Sequence, residues 1–321
     1  MSAEDDHRWL AAAAALAARG RPLSRPNPAV GAILVKDGRV VGRGWTQPGG
    51  RPHAEAMALA AAGAAARGAT LYVTLEPCAH VSPRGPACAD LVAGANLARV
   101  VVGCHDPDPR TAGAGIERIR AAGVPVELID HPACRASLSG FLIRCDHARP
   151  EVTLKLALSA DCRLSPPPGE GQWLTGPEAR AHTHAWRAKM DAILVGRGTL
   201  EADHPRLDVR LPGLADRSPE RWLLSRGATP DGWLALPAPG EIARLAPAQY
   251  LMVEGGAKTA RAFLAAGLVD RMMLYRAPRA VRGDGPALPE LAEAALAIDQ
   301  AWRLVDTRQL GKDTLHVYER G

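Results

Sequence analysis

The sequence predicts two α/β domains in tandem, each a layered stack of strands and helices. Three observations point to this. Apolar strand-like runs alternate with helix-like runs up to residue 129; the alternation restarts at Val152–Leu158 after a polar break over Asp146–Glu151; and 321 residues are enough for two hydrophobic cores. The domains are expected at 1–147 and 151–321.

The elements follow in order. Residues 8–19 read as an Ala-rich helix ended by Gly20, and Pro26-Asn27-Pro28 as a turn. Ala29–Lys36 is an apolar run, and Asp37-Gly38 between it and Arg39-Val40-Val41-Gly42 signals a hairpin. His53 opens a helix that runs through Arg67 and closes at Gly68. Thr70–Leu75 is a buried strand, Cys88–Gly94 begins a helix and Arg99–Gly103 is a strand before a Pro/Gly/Asp loop. Residues 114–122 give a helix and Val124–Ile129 a strand. In the second half, helix 177–189, strand Ala192–Gly196, strand-like Trp222–Ser225, strand Tyr250–Glu254, helix Lys258–Ala266 and strands Arg271–Arg276 and Thr314–Glu319 make another α/β unit. Residues 211–249 are rich in Pro, Gly and Ala and mark their strands poorly, and no internal repeat relates the halves.

Composition excludes several classes. At 47% hydrophobic and 23% charged the chain is ordinary for a globular protein, and its net charge of +5 is scattered with no basic tail. Four Tyr and two Phe are too few for a stacking platform on single-stranded nucleic acid. Six cysteines suggest thiols in a reducing compartment, some assigned to metal. The acidic N-terminus argues against a signal peptide, and the Ala-rich run from Trp9 to Ala18 is too short to span a membrane. A cytoplasmic protein is expected.

The chemistry is carried by His53-Ala54-Glu55, Pro77-Cys78 and Cys88. One imidazole and two thiolates suit a zinc ion with a fourth position open for water, and Glu55 is then a proton shuttle rather than a ligand. Together these are the parts of a zinc nucleobase deaminase. Residues two apart on a helix point about 200° from each other, so His53 and Glu55 converge only at the helix mouth, where Pro52 keeps the chain extended. Cys88, at a helix start, is expected to have a lowered pKa. Taken singly, Cys78 and Cys88 read better as small buried residues and His53 as a helix starter; their order, each at an element boundary, favours the metal. A structural zinc site completed by His80 or Cys104 would leave Glu55 unexplained. The Ala79–Ala87 segment, carrying His80 and Arg84, is placed to lie over the site and meet a charged substrate.

In the second half, Val253-Glu254-Gly255-Gly256 and Gly196-Arg197-Gly198-Thr199 each end a strand with glycines that let backbone N–H groups approach a phosphate, and Asp203-His204-Pro205 forms a turn beyond the latter. Plain strand-to-helix turns explain each equally well, and there is no Gly-x-Gly-x-x-Gly fingerprint.

Almost the whole chain resembles the bifunctional riboflavin-biosynthesis deaminase/reductase family. The resemblance rests on Pro26-Asn27-Pro28-x-Val30-Gly31, His53-Ala54-Glu55 and Thr74-Leu75-Glu76-Pro77-Cys78-x-His80 in the first half. In the second it rests on Lys155-x-Ala157-x-Ser159, Gln172-Trp173-Leu174-Thr175, Asp191-Ala192-x-Leu194-x-Gly196, Ala202-Asp203-x-Pro205 and Glu254-Gly255-Gly256. It implies a cytidine-deaminase-like three-layer α/β/α domain followed by a dihydrofolate-reductase-like α/β domain, with Zn2+ and NADPH as cofactors. By matching positions, Asn27 and His80 contact the pyrimidine. Ala157, Trp173, Thr199, Asp203 and Gly256 bind NADPH, Arg187, Leu207, Arg210 and Glu254 hold the ribosyl phosphate, and Lys155 sits by the reacting sugar carbon. The chain departs from the family at Thr46, where a histidine is usual, and in a longer inter-cysteine loop. Further departures are Cys162 at a glycine position, Gly171 at a serine position and a shortened stretch after Arg210.

The implied activity is zinc-dependent deamination of a phosphorylated diaminopyrimidinone, then NADPH-dependent reduction of its ribosyl group, by a homo-oligomer with no nucleic-acid or membrane partner. The alternatives are a deaminase with a degenerate reductase domain and a nucleic-acid-editing deaminase, against which the scattered charge speaks.

Overall fold

The computed structural model describes residues 2–80, 82–166, 173–283 and 285–321. The chain divides into two compact units, Met1–Ala148 and Arg149–Gly321.

In the first unit the order is α1 (Ala3–Ala17), β1 (Gly31–Lys36), β2 (Arg39–Trp45), α2 (Ala54–Ala62), β3 (Thr70–Val73), α3 (Cys88–Ala93), β4 (Arg99–Val102), α4 (Ala114–Ala121), β5 (Val126–Leu128), α5 (Pro132–Ser137) and α6 (Ser139–His147). The sheet order is β2-β1-β3-β4-β5, with β3, β4 and β5 parallel and β1 antiparallel to both its neighbours. Alternation along each strand sorts side chains to two faces. Ala32, Leu34, Leu71, Val73, Val100 and Val102 pack under α2, α3 and α4, while Ile33, Val35, Tyr72 and Val101 pack under α1 and α5. Three layers result. The hairpin turns at Asp37 and Gly38, both with positive φ, as the dipeptide requires.

The second unit runs β6 (Glu151–Leu158), α7 (Pro177–Arg187), β7 (Ala192–Gly196), α8 (Arg197–Asp203), β8 (Glu220–Leu224), β9 (Leu234–Leu236), β10 (Tyr250–Val253), α9 (Ala257–Ala265), β11 (Arg271–Arg276), α10 (Glu293–Ile298), β12 (Trp302–Leu310) and β13 (Asp313–Arg320). Its eight-stranded sheet has the order β12-β13-β11-β6-β10-β7-β8-β9. From β11 to β9 every neighbouring pair is parallel; β13 and β12 add an antiparallel flank. α9 and α10 cover one face around Leu154, Leu194, Val253 and Phe263, and α7 covers the other around Met273 and Tyr275.

Several elements differ from the sequence reading. α1 begins at Ala3 rather than at residue 8, because Ser2 and Asp5 form a reciprocal capping box. The helix from His53 is α-helical only to Ala62 and tightens into a 3-10 turn at Gly63–Ala66. α5, α6, β9, α10 and β12 are additional, and α8 occupies what reads as loop before the Asp203-His204 turn. Among the described residues no helix is long and apolar enough to cross a membrane.

Candidate functional site

α2 is seated by glycine. A Cβ on Gly44 would come within 2.4 Å of Ala54 O, and one on Gly42 within 2.3 Å of Ala58 O, so the helix lies directly on the β2 backbone. This close approach sets the start of α2, where His53 is the N-cap in extended conformation. His53 Nδ1 lies 3.2 Å from Cys88 Sγ and 3.5 Å from Cys78 Sγ, and the ligand atoms of the three residues all lie within 4.8 Å of one another. An imidazole and two thiols at this separation fit a zinc ion.

Cys88 N donates to Cys78 Sγ at 3.3 Å, and the Cys88 thiol hydrogen-bonds to the same sulfur. The pair therefore divides unequally: the Cys88 thiol and His53 pull Cys78 down, whereas Cys78, burial and Glu55 push Cys88 up. Glu55 is buried beside Cys88, and burial raises its pKa, as suits a group that takes up a proton.

Asn27 Nδ2 donates to Gly50 O at 3.0 Å and lies 3.1 Å from His53 Nε2. Gly50 has φ of 86°, and a Cβ there would meet Asn27 Cγ at 2.6 Å, so glycine is required for the asparagine to reach the imidazole. His80 Nδ1 is buried with no hydrogen-bond partner among the described residues, an orphan that a ligand group can satisfy. Thr46 is occupied: its hydroxyl accepts from Val30 N at 3.0 Å. Arg84 Nη2 donates to Gly49 O at 2.5 Å and Arg51 Nη1 to Pro86 O at 3.3 Å, clamping the inter-cysteine loop to the segment before His53.

One residue of this site appears in the sequence reading only inside the Thr74–His80 motif, with no role of its own. Glu76, buried just before Pro77, accepts from the backbone N–H groups of Gly113, Gly115 and Ile116 at 3.0–3.2 Å and of Asp106 at 3.4 Å. A carboxylate at a strand end directly before Pro-Cys was the available signal.

In the second unit a cavity of about 420 Å³ lies outside the carboxyl ends of β6, β10 and β7, the usual ligand position in parallel sheets. Lys155 and Ala157, two apart on β6, both line it, with Trp173, Thr199, Asp203 and Gly256, and with Arg187, Leu207, Arg210 and Glu254. Its centre is an ion triad. Glu254 accepts from Arg187 Nε at 2.7 Å and Nη2 at 2.9 Å, and Lys155 Nζ lies 3.6 Å from Glu254 Oε2. Burial raises the Glu254 carboxyl's pKa, but Lys155 and Arg187 more than offset this and hold it at about 2.

Gly256 N donates to Thr199 Oγ1 at 3.1 Å. Trp173 is 53% exposed, with the Arg180 guanidinium 5.4 Å from its ring centroid. Leu207 is buried at φ 56°, and Arg210 lies 3.5 Å from Asp208 Oδ1. Cys162 has φ of 59°, a left-handed conformation that glycine adopts without strain, with Cys162 N donating to Ser159 O at 2.9 Å. Gly171 and Gln172 lie outside the described residues. His184, which bonds to the Asp208 backbone carbonyl that also accepts from Arg187, was missed; Arg180, His184 and Arg187 are polar at i, i+4, i+7 on α7.

Comparison with known proteins decides the family. Residues 3–104 match the cytidine and deoxycytidylate deaminase zinc-binding region, and residues 150–233 and 241–316 match the RibD C-terminal domain. The riboflavin biosynthesis protein RibD of Aquifex aeolicus is 32% identical, with all of both chains covered. That of Escherichia coli is 36% identical over 97% of this chain and 99% of its own. The chain belongs to the RibD family. Among solved structures, RibD of Acinetobacter baumannii superposes with a TM-score of 0.86 at 33% identity, covering 99% of each chain. A Thermotoga maritima diaminohydroxyphosphoribosylaminopyrimidine deaminase/5-amino-6-(5-phosphoribosylamino)uracil reductase gives 0.85 at 27%, covering 98% of this chain and 99% of that one. As a RibD family member the chain is a bifunctional enzyme of riboflavin biosynthesis, a zinc-dependent pyrimidine deaminase joined to an NADPH-dependent reductase.

Proposed function

We propose that residues 1–147 hydrolyse the ring amino group of 2,5-diamino-6-(5-phosphoribosylamino)pyrimidin-4(3H)-one, and that residues 151–321 then reduce the ribosyl group to ribityl phosphate. The observation that carries the two-step reading is the Lys155–Glu254–Arg187 triad within a cavity lined by all ten residues proposed for the reductase. A degenerate domain has no reason to keep a buried carboxylate between two cations.

In the deaminase half His53, Cys78 and Cys88 hold the zinc, which supplies Lewis acidity toward water when bound. Glu55 takes the proton from water and hands it to the departing amine; its burial and raised pKa match that exchange. Asn27 and His80 orient the pyrimidine, the latter through its unpartnered Nδ1.

In the reductase half Ala157, Trp173, Thr199, Asp203 and Gly256 hold NADPH, the hydride source. Arg187 and Arg210 bind the phosphate as always-charged, planar donors, with Leu207 and Glu254 completing the substrate contacts. Glu254 also fixes the Lys155 ammonium beside the opened sugar, where it donates the proton that accompanies reduction. The enzyme works on a free phosphorylated pyrimidine, in the cytoplasm and as a homo-oligomer.

The test is to incubate the purified protein with the diaminopyrimidinone ribosyl phosphate and follow ammonia release and NADPH oxidation together. Both should occur. Ammonia without NADPH loss would assign the second unit a non-catalytic role, and no ammonia from zinc-loaded protein would overturn the reading. Glu55→Gln should abolish ammonia release while zinc is retained.

A further inference from the structure

Glu254 alone does not direct the Lys155 ammonium. Its carboxylate accepts two short bonds from Arg187, and Lys155 Nζ stands 3.6 Å from Oε2, past the length of a good hydrogen bond. A lysine stem is long and flexible, so attraction from one side leaves its charge free to swing.

The pairing of β6 with β11 supplies a second side. Lys155 stands opposite Met273, and Ala157 opposite Tyr275. Alternation puts these four on the face covered by α7, while Leu156 and Leu274 point to the other. Lys155 and Tyr275 are thus diagonal neighbours, and Lys155 Nζ lies over the Tyr275 ring, 5.6 Å from its centroid. That is within reach of a cation–π contact.

The ring is itself anchored. Tyr275 is 1% exposed, and its hydroxyl lies 2.8 Å from Nδ1 of His182 on α7, with the two rings edge to face at 5.9 Å. Burial raises the pKa of the phenol, which therefore keeps its proton. Burial, with Arg308 and Lys189, lowers that of His182 against the pull of Asp306, so the imidazole is neutral. The phenol then donates to Nδ1, and the imidazole proton sits on Nε2. From the same helix Arg187 holds Glu254, so α7 braces both groups that flank the ammonium.

We propose that Tyr275 and His182 are positioning residues for Lys155: the ring face and the Glu254 carboxylate hold the ammonium between them at the reacting sugar carbon, and His182 holds the ring. The proposal rests on Lys155 delivering the proton of the reduction.

Steady-state reduction of the deaminated ribosyl phosphate tests it on the zinc-loaded, full-length protein, with NADPH binding by calorimetry to show that the second unit is folded. Positioning acts on kcat, whereas a general loss of packing also moves KM and NADPH affinity. Tyr275→Leu should lower kcat by roughly 3- to 30-fold, the worth of a cation–π contact, with both KM values within about twofold of the unaltered protein's. Tyr275→Phe keeps the ring and loses its anchor, so it should lose less and bind NADPH normally. His182→Leu should match Tyr275→Phe, and the two changes together should cost no more than either alone. His182→Asn, whose amide oxygen can stand in for Nδ1, should recover most of the rate. An unaltered kcat in Tyr275→Leu, or lost NADPH binding in Tyr275→Phe, overturns the proposal alone, as does a His182→Asn variant no faster than His182→Leu. A Lys155→Met variant that reduces at the unaltered rate overturns the reading of Lys155, and this proposal with it.

Discussion

Replacing Glu254 with glutamine keeps the size and one acceptor of the side chain but removes the only charge between Lys155 and Arg187. All three are sequestered, with side chains 9% exposed for Glu254, 12% for Arg187 and 18% for Lys155. The depression of the Glu254 carboxyl from 4.5 to about 2 corresponds to about 3 kcal/mol of preference for the charged form. Breaking a buried pair by removing one partner costs about 3–5 kcal/mol for the same reason, because the other charge stays buried and unmatched. For a unit of this size each kcal/mol moves the melting temperature by about 2–4 °C, so Glu254→Gln should lower it by roughly 6–12 °C at pH 7.

The pH dependence gives the sign. A carboxyl held below its ordinary range contributes fully above about pH 4.5, and that contribution fades as the pH falls toward 2. The gap in melting temperature between the unaltered protein and Glu254→Gln should therefore be constant from pH 7 to 5 and narrow between pH 4.5 and 3. Scanning calorimetry, with the transition of the second unit assigned by its shift on adding NADPH, measures both. Equal melting at pH 7, or a gap that persists undiminished at pH 3, would refute the reasoning.

Other changes test the packing and the metal. Cys88→Ser should leave less than one zinc per chain by elemental analysis, while the reductase still oxidises NADPH on the deaminated intermediate. In Gly115→Ala the new Cβ would lie 2.0 Å from Pro77 O, so α4 and the Cys78 segment must separate; zinc affinity by chelator competition should fall at least about tenfold, in line with losses of supporting contacts around metals. A Cβ on Gly196 would meet Thr259 Oγ1 at 2.2 Å. Gly196→Ala should cost about 1–3 kcal/mol, and adding Thr259→Ala should recover about 1 kcal/mol or more in a double-mutant cycle; strict additivity would contradict the contact.

What the sequence made legible is what strong local chemistry writes. The Asp37-Gly38 hairpin, the parallel apolar runs of β3, β4, β6, β7 and β10, and the His53, Cys78 and Cys88 set are short-range signals. What stayed hidden depends on contacts distant in sequence. β12 is an edge strand whose apolar Leu304 and Val305 are exposed, so no alternation marks it. The start of α1 is a local exception, written in the Ser2–Asp5 capping box three residues apart. In the reductase half the residues named on resemblance all line one cavity, yet Glu254 as the junction of two cations appears only once β6, α7 and β10 are brought together.

The same distinction explains why Glu76 had no role assigned from the sequence although it stands two residues from a proposed ligand. Its carboxylate accepts from Gly113 N, Gly115 N and Ile116 N at the start of α4 and from Asp106 N after β4. Four donors converge on two oxygens, so an acceptor-only group is required. A glutamine would turn an N–H₂ toward backbone N–H groups and leave buried donors unmatched, at about 1–3 kcal/mol each. The carboxylate thus ties the segment that presents Cys78 to the neighbouring strand's loop and to a helix packed so closely that Gly115 has no room for a Cβ. A thiol on an unsupported strand-end loop would wander by more than a metal site tolerates; the Glu76 bonds restrain the segment that presents Cys78.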